Sequence, residues 1–339
     1  MRIAKWVYPL SVSLLLGYVY NKYKAKQLED EHQGSYAMVK HYLLNGERGP
    51  MPQKPVIWIH STYEVNARSW ASFASRNTEE LNQPYLYLTI KSIIDQNGGD
   101  FNICLIDDDS FGKLLPHWAV DLNFVAEPIK SKIRQLALAK LLHTYGGFLL
   151  PSSVLCMAPL KGVYDQLTMQ KALHNALPEA LPSTLAAPSM FVGELLDRQS
   201  TSTQVAFFPT NQIMGCLKES STMGEYINYL EKLISTDFTQ ESVFDGSAAR
   251  WFHAKIRAGT ILMVPAQCWG AKDADGKPVT IERFLGSTFV HFAPATLGLY
   301  IPADEILKRT AYQWFARMSP KQALESNTVL GKHLLTVGK

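Results

Sequence analysis

The sequence predicts an α/β fold in which a mostly parallel sheet is flanked by helices, with further helices at the C-terminus and one membrane anchor at the N-terminus. Short apolar strands alternate with amphipathic helical segments, which is the pattern of a sheet covered by helices. Acidic residues follow one of these strands, at the edge where ligands of open α/β sheets bind. An uncharged N-terminal segment between basic residues predicts the anchor.

Composition limits the classes of function that this chain can have. Of its 339 residues, 47% are hydrophobic and 19% are charged, which excludes an intrinsically disordered chain and a membrane protein with many spans. The formal net charge of +3 gives no basic excess, so we expect no nucleic-acid partner. The four cysteines lie far apart, without the close pairs that a zinc site or a redox motif needs.

The N-terminus has the pattern of a single-pass membrane anchor. Residues 6–21 carry no charge, have aromatic residues at both ends and are flanked by basic residues. As a helix this segment is about 24 Å long, shorter than the roughly 30 Å hydrocarbon core of a typical bilayer, which favours a thin endomembrane of the Golgi or ER kind. A cleaved signal peptide is the alternative, but no A-x-A-like site follows the apolar residues. The basic residues do not set the orientation.

The chain divides into three regions. Residues 1–23 are the anchor, and residues 24–54 are a polar stem whose end is rich in glycine and proline. Residues 55–335 are the globular domain. We predict strands at 55–60, 101–106, 148–150, 205–208 and 260–264, and helices at 84–97, 129–145, 223–234, 248–257, 305–317 and 320–332.

An acidic cluster ends the second predicted strand. Asp107, Asp108 and Asp109 follow the apolar residues 101–106, at the sheet edge where a metal ion or a ligand would bind. The alternative is a solvated turn in which these residues cap a helix. Gly-rich phosphate loops and the G-x-S-x-G motif are missing from the sequence, which argues against other classes of α/β enzyme.

A helix followed by a glycine pair carries a resemblance to a known family. The amphipathic segment 129–145 ends in Tyr145-Gly146-Gly147 and leads directly into an apolar strand. This order resembles the core of the sugar-nucleotide glycosyltransferases with a DXD sugar-binding region, including the capsular-polysaccharide-synthesis type, which read approximately SDLLRYxLLYxYGGIYLDTDV. The segment 211–230 is similar to that family's N-x-x-M followed by a helix. The resemblance covers about residues 55–295.

The resemblance implies a GT-A-type fold, a nucleotide sugar as donor, Mn²⁺ or Mg²⁺ as cofactor and a glycan as acceptor. The family's metal-binding motif is degenerate here, because its two aspartates align with Pro151 and Ser153. The family's helix Asp and Arg align with Gln135 and Leu138. In that family the carboxylates hold the cation that neutralises the leaving diphosphate, whereas proline offers no ligand and serine hydroxyls bind hard cations weakly.

Two functions therefore stay open. The first is a glycosyltransferase of the hexosyltransferase class with a rebuilt site or without a metal. The second is a pseudo-glycosyltransferase with reduced or lost activity, acting as a membrane-anchored scaffold, as the partner of an active transferase or as a structural component of an assembly.

The enzyme hypothesis assigns roles to particular residues. Asp245 is the candidate base for the acceptor hydroxyl, although Asp-Gly also suits a turn. Lys130, Lys132 and Arg134 either bind diphosphate or form an exposed helix face. The residues expected to contact the nucleotide sugar are His60, Asp107, Ser152 and Ser153, and the expected metal ligands are Asp107, Asp109 and His291. Histidines in apolar strands are often core residues, which is the alternative role for His60 and His291.

Overall fold

A computed structural model describes residues 54–61, 83–176, 188–196, 206–236 and 241–337 of the chain. The anchor predicted over residues 6–21 and the stem before Lys54 lie outside these residues. Within the described part, no helix is both long enough and apolar enough to cross a membrane.

A six-stranded sheet forms the centre of the fold, and its strand order is β2-β1-β3-β6-β5-β7. Five of these strands run in one direction and β6 runs antiparallel to them. A second, two-stranded sheet pairs β4 with β8. The strands are β1 (Val56–His60), β2 (Asn102–Ile106), β3 (Gly147–Pro151), β4 (Val154–Cys156), β5 (Met190–Leu196), β6 (Phe207–Cys216), β7 (Ile261–Val264) and β8 (Gly298–Tyr300).

Helices flank the larger sheet, so the predicted α/β class with a mostly parallel sheet is confirmed. One face, with Val56 and Trp58, packs in a core with residues of the helices at 129–145, 221–236 and 241–257, and Ile57 and Ile59 on the other face are also buried. The helices are α1 (Leu86–Asn97), α2 (Phe111–Leu114), α3 (Ile129–Tyr145), α4 (Lys161–Ala176), α5 (Ser221–Thr236), α6 (Glu241–Arg257), α7 (Ile281–Leu285), α8 (Ala303–Lys308), α9 (Gln313–Ala316), α10 (Pro320–Glu325) and α11 (Val329–Val337).

The turn between α3 and β3 requires glycine at both of its positions. Gly146 and Gly147 have φ angles of 73° and 106°, which residues with a side chain rarely adopt. A Cβ atom on Gly147 would lie 2.1 Å from the carbonyl oxygen of Val56 in the neighbouring strand. The Nε1 of Trp58 donates a hydrogen bond to the Gly146 carbonyl, and the Tyr145 hydroxyl donates one to the Leu114 carbonyl. This motif therefore fixes where β3 begins.

The C-terminal helices are shorter than predicted. The helix expected over 305–317 is interrupted at Arg309, whose extended backbone ends α8. The helix expected over 320–332 is interrupted at Ser326, which is also extended and ends α10. Ser319 begins α10 with a capping box, so each segment has its own local start or stop signal. The chain closes with four short helices, α8 to α11, in place of two long ones.

Candidate functional site

The carboxyl ends of three parallel strands meet at one edge of the large sheet. β1 pairs with β2 on one side and with β3 on the other, so the strand order reverses at β1. His60, at the end of β1, is in register with Ile106 of β2 and Pro151 of β3. Ligands of open α/β sheets bind in the crevice outside such a reversal point. The candidate site is therefore built from His60 and from the residues that follow β2 and β3.

Asp108 is the centre of a polar cluster at this edge. Its Oδ1 lies 2.9 Å from Nε2 of His60 and accepts a hydrogen bond from Nε of Arg134 at 2.7 Å. Nη2 of Arg134 donates to Oδ2 at 2.7 Å, and Nζ of Lys130 lies 3.6 Å from the same oxygen. We call these four residues the Asp108 cluster. Their side chains are between 11% and 24% exposed, so the cluster is shielded and still accessible.

Helix α3 supplies both cations of the Asp108 cluster. Lys130 and Arg134 are four residues apart, which places them on the same face of the helix. Lys132 lies between them in sequence and is buried in the fold. The prediction that these three residues form an exposed helix face is therefore wrong, because Lys130 and Arg134 contact Asp108 and Lys132 is buried.

Aromatic packing supports the histidine of the cluster. The ring of His60 stacks on Phe111, with the ring centroids 5.7 Å apart and the planes 5° from parallel. Phe111 in turn packs against Trp118, with the ring centroids 5.9 Å apart. Phe111 is completely buried, so its position is set by the core. His60 is thereby held with Nε2 directed at Asp108.

Acidic groups offset the positive charges of the cluster. Burial by itself would raise the pKa of the Asp108 carboxyl, but hydrogen bonds from Arg134 and His60, together with their charges, hold that pKa well below its ordinary value. The carboxylate is therefore ionised at neutral pH and opposes two cations, Lys130 and Arg134. Glu127, 3.9 Å from Nη1 of Arg134, is more than half exposed and offsets part of this charge. Because Asp107 and Asp109 also flank Asp108, the surroundings carry no net positive charge, and Lys130 and Arg134 can act on an anionic group only by direct contact.

Asp107 and Asp109, the neighbours of Asp108 in sequence, form hydrogen bonds with nearby residues of the chain. Asp107 caps the turn at residues 108–110, where its Oδ1 accepts hydrogen bonds from the backbone nitrogen and the hydroxyl of Ser110 at 2.9 and 2.6 Å. The capping alternative is therefore confirmed for Asp107. Oδ1 of Asp109 accepts from Nδ2 of Asn123 at 2.8 Å.

The predicted metal ligands are not brought together. Asp107, Asp109 and His291 are all described, yet no group of three acidic, histidine or cysteine side chains among the described residues is placed to hold a metal ion. His291 lies in an exposed loop before β8, with its ring 6.3 Å from that of Phe289. These three side chains do not fit a shared metal site. Binding of Mn²⁺ or Mg²⁺ by these residues stays a prediction.

The turn after β3 contains Ser152 and Ser153, which were expected to contact the nucleotide sugar. The Ser152 carbonyl accepts a hydrogen bond from the hydroxyl of Thr89 in α1 at 2.6 Å, and the Ser153 carbonyl accepts one from the Ile301 nitrogen at 3.0 Å. Ser153 is buried. Ser152 and Ser153 follow Pro151, which is in register with His60, and their described hydrogen bonds fix the turn to neighbouring elements.

The candidate base Asp245 lies in α6, so a helix stands where the Asp-Gly pair suited a turn. The side chain of Asp245 is outside the described residues.

Two positions that were matched to the family motif lie in contact. Oε1 of Gln135, which aligns with the family's helix Asp, accepts a hydrogen bond from Nδ2 of Asn211 at 2.6 Å. Asn211 begins the N-x-x-M segment and is 76 residues away in sequence. Arg134 is out of register with the family's Arg, so the resemblance does not single it out. The sequence signal for the Asp108 cluster is the four-residue spacing of Lys130 and Arg134, which places both side chains on one face of the helix.

The arrangement at this edge brings two basic side chains and a histidine together around one carboxylate. Comparison with protein-family models and with curated proteins found no match to this chain.

Proposed function

We propose that this chain is a glycosyltransferase-like protein, related to enzymes that transfer a sugar from a nucleotide sugar to a glycan acceptor. Its donor binds at the carboxyl edge of β1, β2 and β3, and residues 6–21 anchor it in an endomembrane. The observation that carries the proposal is the Asp108 cluster, which holds Lys130 and Arg134 at the point where the strand order reverses. Two cations at such an edge suit a diphosphate.

The cations take the part that a divalent metal ion plays in the family that the sequence resembles. Transfer of the sugar leaves a nucleoside diphosphate, and fixed positive groups stabilise the charge that develops on it. Arg134 is held in place by two hydrogen bonds to Asp108, so its guanidinium is oriented before a ligand arrives. Lys130, at 3.6 Å, is held less closely and is the group that moves toward a phosphate. His60 lies between the ends of β2 and β3 and orients the donor there.

A second candidate function is a pseudo-glycosyltransferase that acts as a membrane-anchored scaffold or as a component of an assembly. It is favoured by the hydrogen bonds of two carboxylates, because Asp107 caps a helical turn and Asp109 accepts from Asn123. It is also favoured by Pro151 and Ser153, which replace the motif's aspartates. In this case activity is reduced or lost, and the fold is retained for binding.

Titration of the full chain with UDP-sugars and GDP-sugars, with and without Mn²⁺, distinguishes these functions. A donor that binds only the folded chain stabilises it by about 2.7 kcal/mol at a hundredfold excess over its dissociation constant. We expect stabilisation without Mn²⁺ and its loss in Lys130→Ala. Lys113→Ala, which removes an exposed lysine of α2, is the matched control.

Each other outcome of the titration decides against one part of the proposal. No stabilisation by any donor rejects donor binding and leaves the scaffold. Stabilisation that needs Mn²⁺ and disappears in Asp107→Asn with Asp109→Asn shows that the metal prediction was right and that the role given to Lys130 is wrong.

A further inference from the structure

Exposed apolar side chains are grouped in the loop between α2 and α3, beside the Asp108 cluster. Residues 116–129 read PHWAVDLNFVAEPI and contain no lysine and no arginine. Phe124 is 89% exposed, more than any other large hydrophobic residue in the described part of the chain, and Val120 and Ile129 are 40% and 43% exposed. Single exposed apolar residues are normal, whereas a group of them in one loop points to an interaction surface. We call residues 116–129 the apolar loop.

The apolar loop has a fixed support. Leu122 begins the short turn of 3-10 helix Leu122–Phe124, is only 2% exposed and packs in the main core. Nδ2 of Asn123 donates a hydrogen bond to Oδ1 of Asp109 at 2.8 Å, which holds the turn beside the end of β2. The backbone before Phe124 is therefore fixed to the core, and the exposure of this phenylalanine is a property of the folded loop.

The length of the chain before β1 brings a membrane within reach of the apolar loop. Residues 6–21 have the pattern of an anchor, and residues 22–53 can span at most about 110 Å when fully extended. β1 has five residues and is about 17 Å long, so its carboxyl edge is also within that reach. A surface that is tethered in this way meets the bilayer at a high effective concentration. A weak second contact is then enough, because membrane binding by two signals is much stronger than binding by one.

Area and charge decide what covers the apolar loop. A stable contact with a second copy of the chain buries roughly 800 Å² on each partner, and one phenylalanine with two partly exposed aliphatic side chains falls well short of that area. A bilayer needs no such area, because the anchor supplies most of the binding. The loop carries Asp121 and Glu127 and no lysine or arginine, so anionic headgroups do not attract it. We propose that the apolar loop docks on a neutral phospholipid membrane, with Phe124 inserted between the headgroups.

Docking determines how the Asp108 cluster meets its ligands. The apolar loop is hydrogen-bonded to Asp109, the neighbour of Asp108, and it ends at the first residue of α3, directly before Lys130. A docked loop therefore holds the carboxyl edge of the large sheet close to the bilayer, and a ligand at that edge is bound at the membrane surface. This inference rests on the anchor of the proposed function and does not depend on the nucleotide sugar.

Spin labels at two exposed positions of the full chain test the docking. Cys268→Ser first removes the one partly exposed cysteine, since the other three are buried. A nitroxide is then attached at Ala126→Cys in the apolar loop or at Thr288→Cys, which adjoins Phe289, a strongly exposed phenylalanine outside the loop. In phosphatidylcholine vesicles we expect the label at 126 to collide severalfold less often with a water-soluble nickel chelate than the label at 288. It should collide more often with oxygen, which concentrates in lipid.

Phe124→Ser shows whether the phenylalanine carries the docking. Because this side chain is almost fully exposed, its removal should leave the melting temperature unchanged, and it should restore access of the chelate to the label at 126. The proposal is overturned if the two labels are equally accessible, if Phe124→Ser stays protected, or if protection needs phosphatidylserine in the vesicles. Protection that grows with the ratio of protein to lipid also overturns it, because a second copy then covers the loop.

Cosedimentation with the same vesicles tests the anchor separately. A chain that stays in solution has neither the anchor nor the docking, whereas a chain that cosediments with an accessible label at 126 lacks the docking alone. Because no nucleotide sugar is present, a failed donor titration leaves both results unaffected.

Discussion

Arg134 holds Asp108 through two parallel hydrogen bonds, with Nε and Nη2 donating to different carboxylate oxygens at 2.7 Å each. This is the strongest geometry that a guanidinium and a carboxylate form. The two residues belong to different elements, and the pair connects the end of β2 to helix α3 at the edge where we place the donor. The pair therefore serves both the stability of the fold and the orientation of a cation.

Asp108→Asn should lower the free energy of unfolding by about 1–3 kcal/mol, because it weakens the bonds to Arg134 and His60 and leaves cations without their partner. Urea denaturation measures the change. Asp109→Asn removes the same charge from the adjacent, more exposed position, and we expect a change within about 0.5 kcal/mol. Equal effects of the two substitutions would show that the pair with Arg134 adds nothing beyond the general charge balance.

The depressed pKa of Asp108 predicts how stability depends on pH. The folded state favours the ionised carboxyl, so this contribution is fully present above the ordinary carboxyl pKa of about 3.9 and is lost as the pH falls toward the lower folded value. The difference in unfolding free energy between the unchanged chain and Asp108→Asn should therefore shrink as the pH falls from about 5 to about 2. A difference that is constant over this range, measured by urea denaturation, would contradict the assignment.

Gly147→Ala should destabilise the fold severely, by about 3 kcal/mol or more, because φ is 106° and the new Cβ would lie 2.1 Å from the Val56 carbonyl oxygen. The melting temperature and the yield of folded protein measure the loss. Gly162→Ala is the matched control, because its Cβ meets nothing within 4 Å at the start of α4. That substitution should leave stability unchanged or raise it by about 0.4–1 kcal/mol.

Gln135 and Asn211 should be energetically coupled. A double-mutant cycle with Gln135→Ala and Asn211→Ala should give a coupling energy of about 0.5–1.5 kcal/mol, the usual contribution of one hydrogen bond. The free energies of unfolding of the two single variants and the double variant supply the cycle. Additive effects would mean that the contact between these two motif positions is incidental.

Local sequence patterns correctly predict the helices and strands that begin or end at a clear sequence signal. Helix α3 has the predicted bounds because Tyr145 is followed by two glycines that no helix continues through. Strands β1, β2 and β3 lie within one or two residues of their predicted ranges. Strands β4, β5 and β8 were missed, since short apolar runs do not distinguish a buried strand from other buried segments. The strand predicted at 205–208 continues as β6 to Cys216, through the residues that we had matched to the N-x-x-M motif.

The sequence by itself determined the α/β class, the glycine turn and the absence of acidic side chains at Pro151 and Ser153, because these follow from residue types at fixed local spacing. Only the tertiary structure decided what surrounds Asp108. His60 is 48 residues away from it and Arg134 is 26 residues away, and they meet because β1 and β2 are paired and α3 places Arg134 against Asp108. Local patterns do not show such pairings, because the burial of the whole core decides which distant segments pack together.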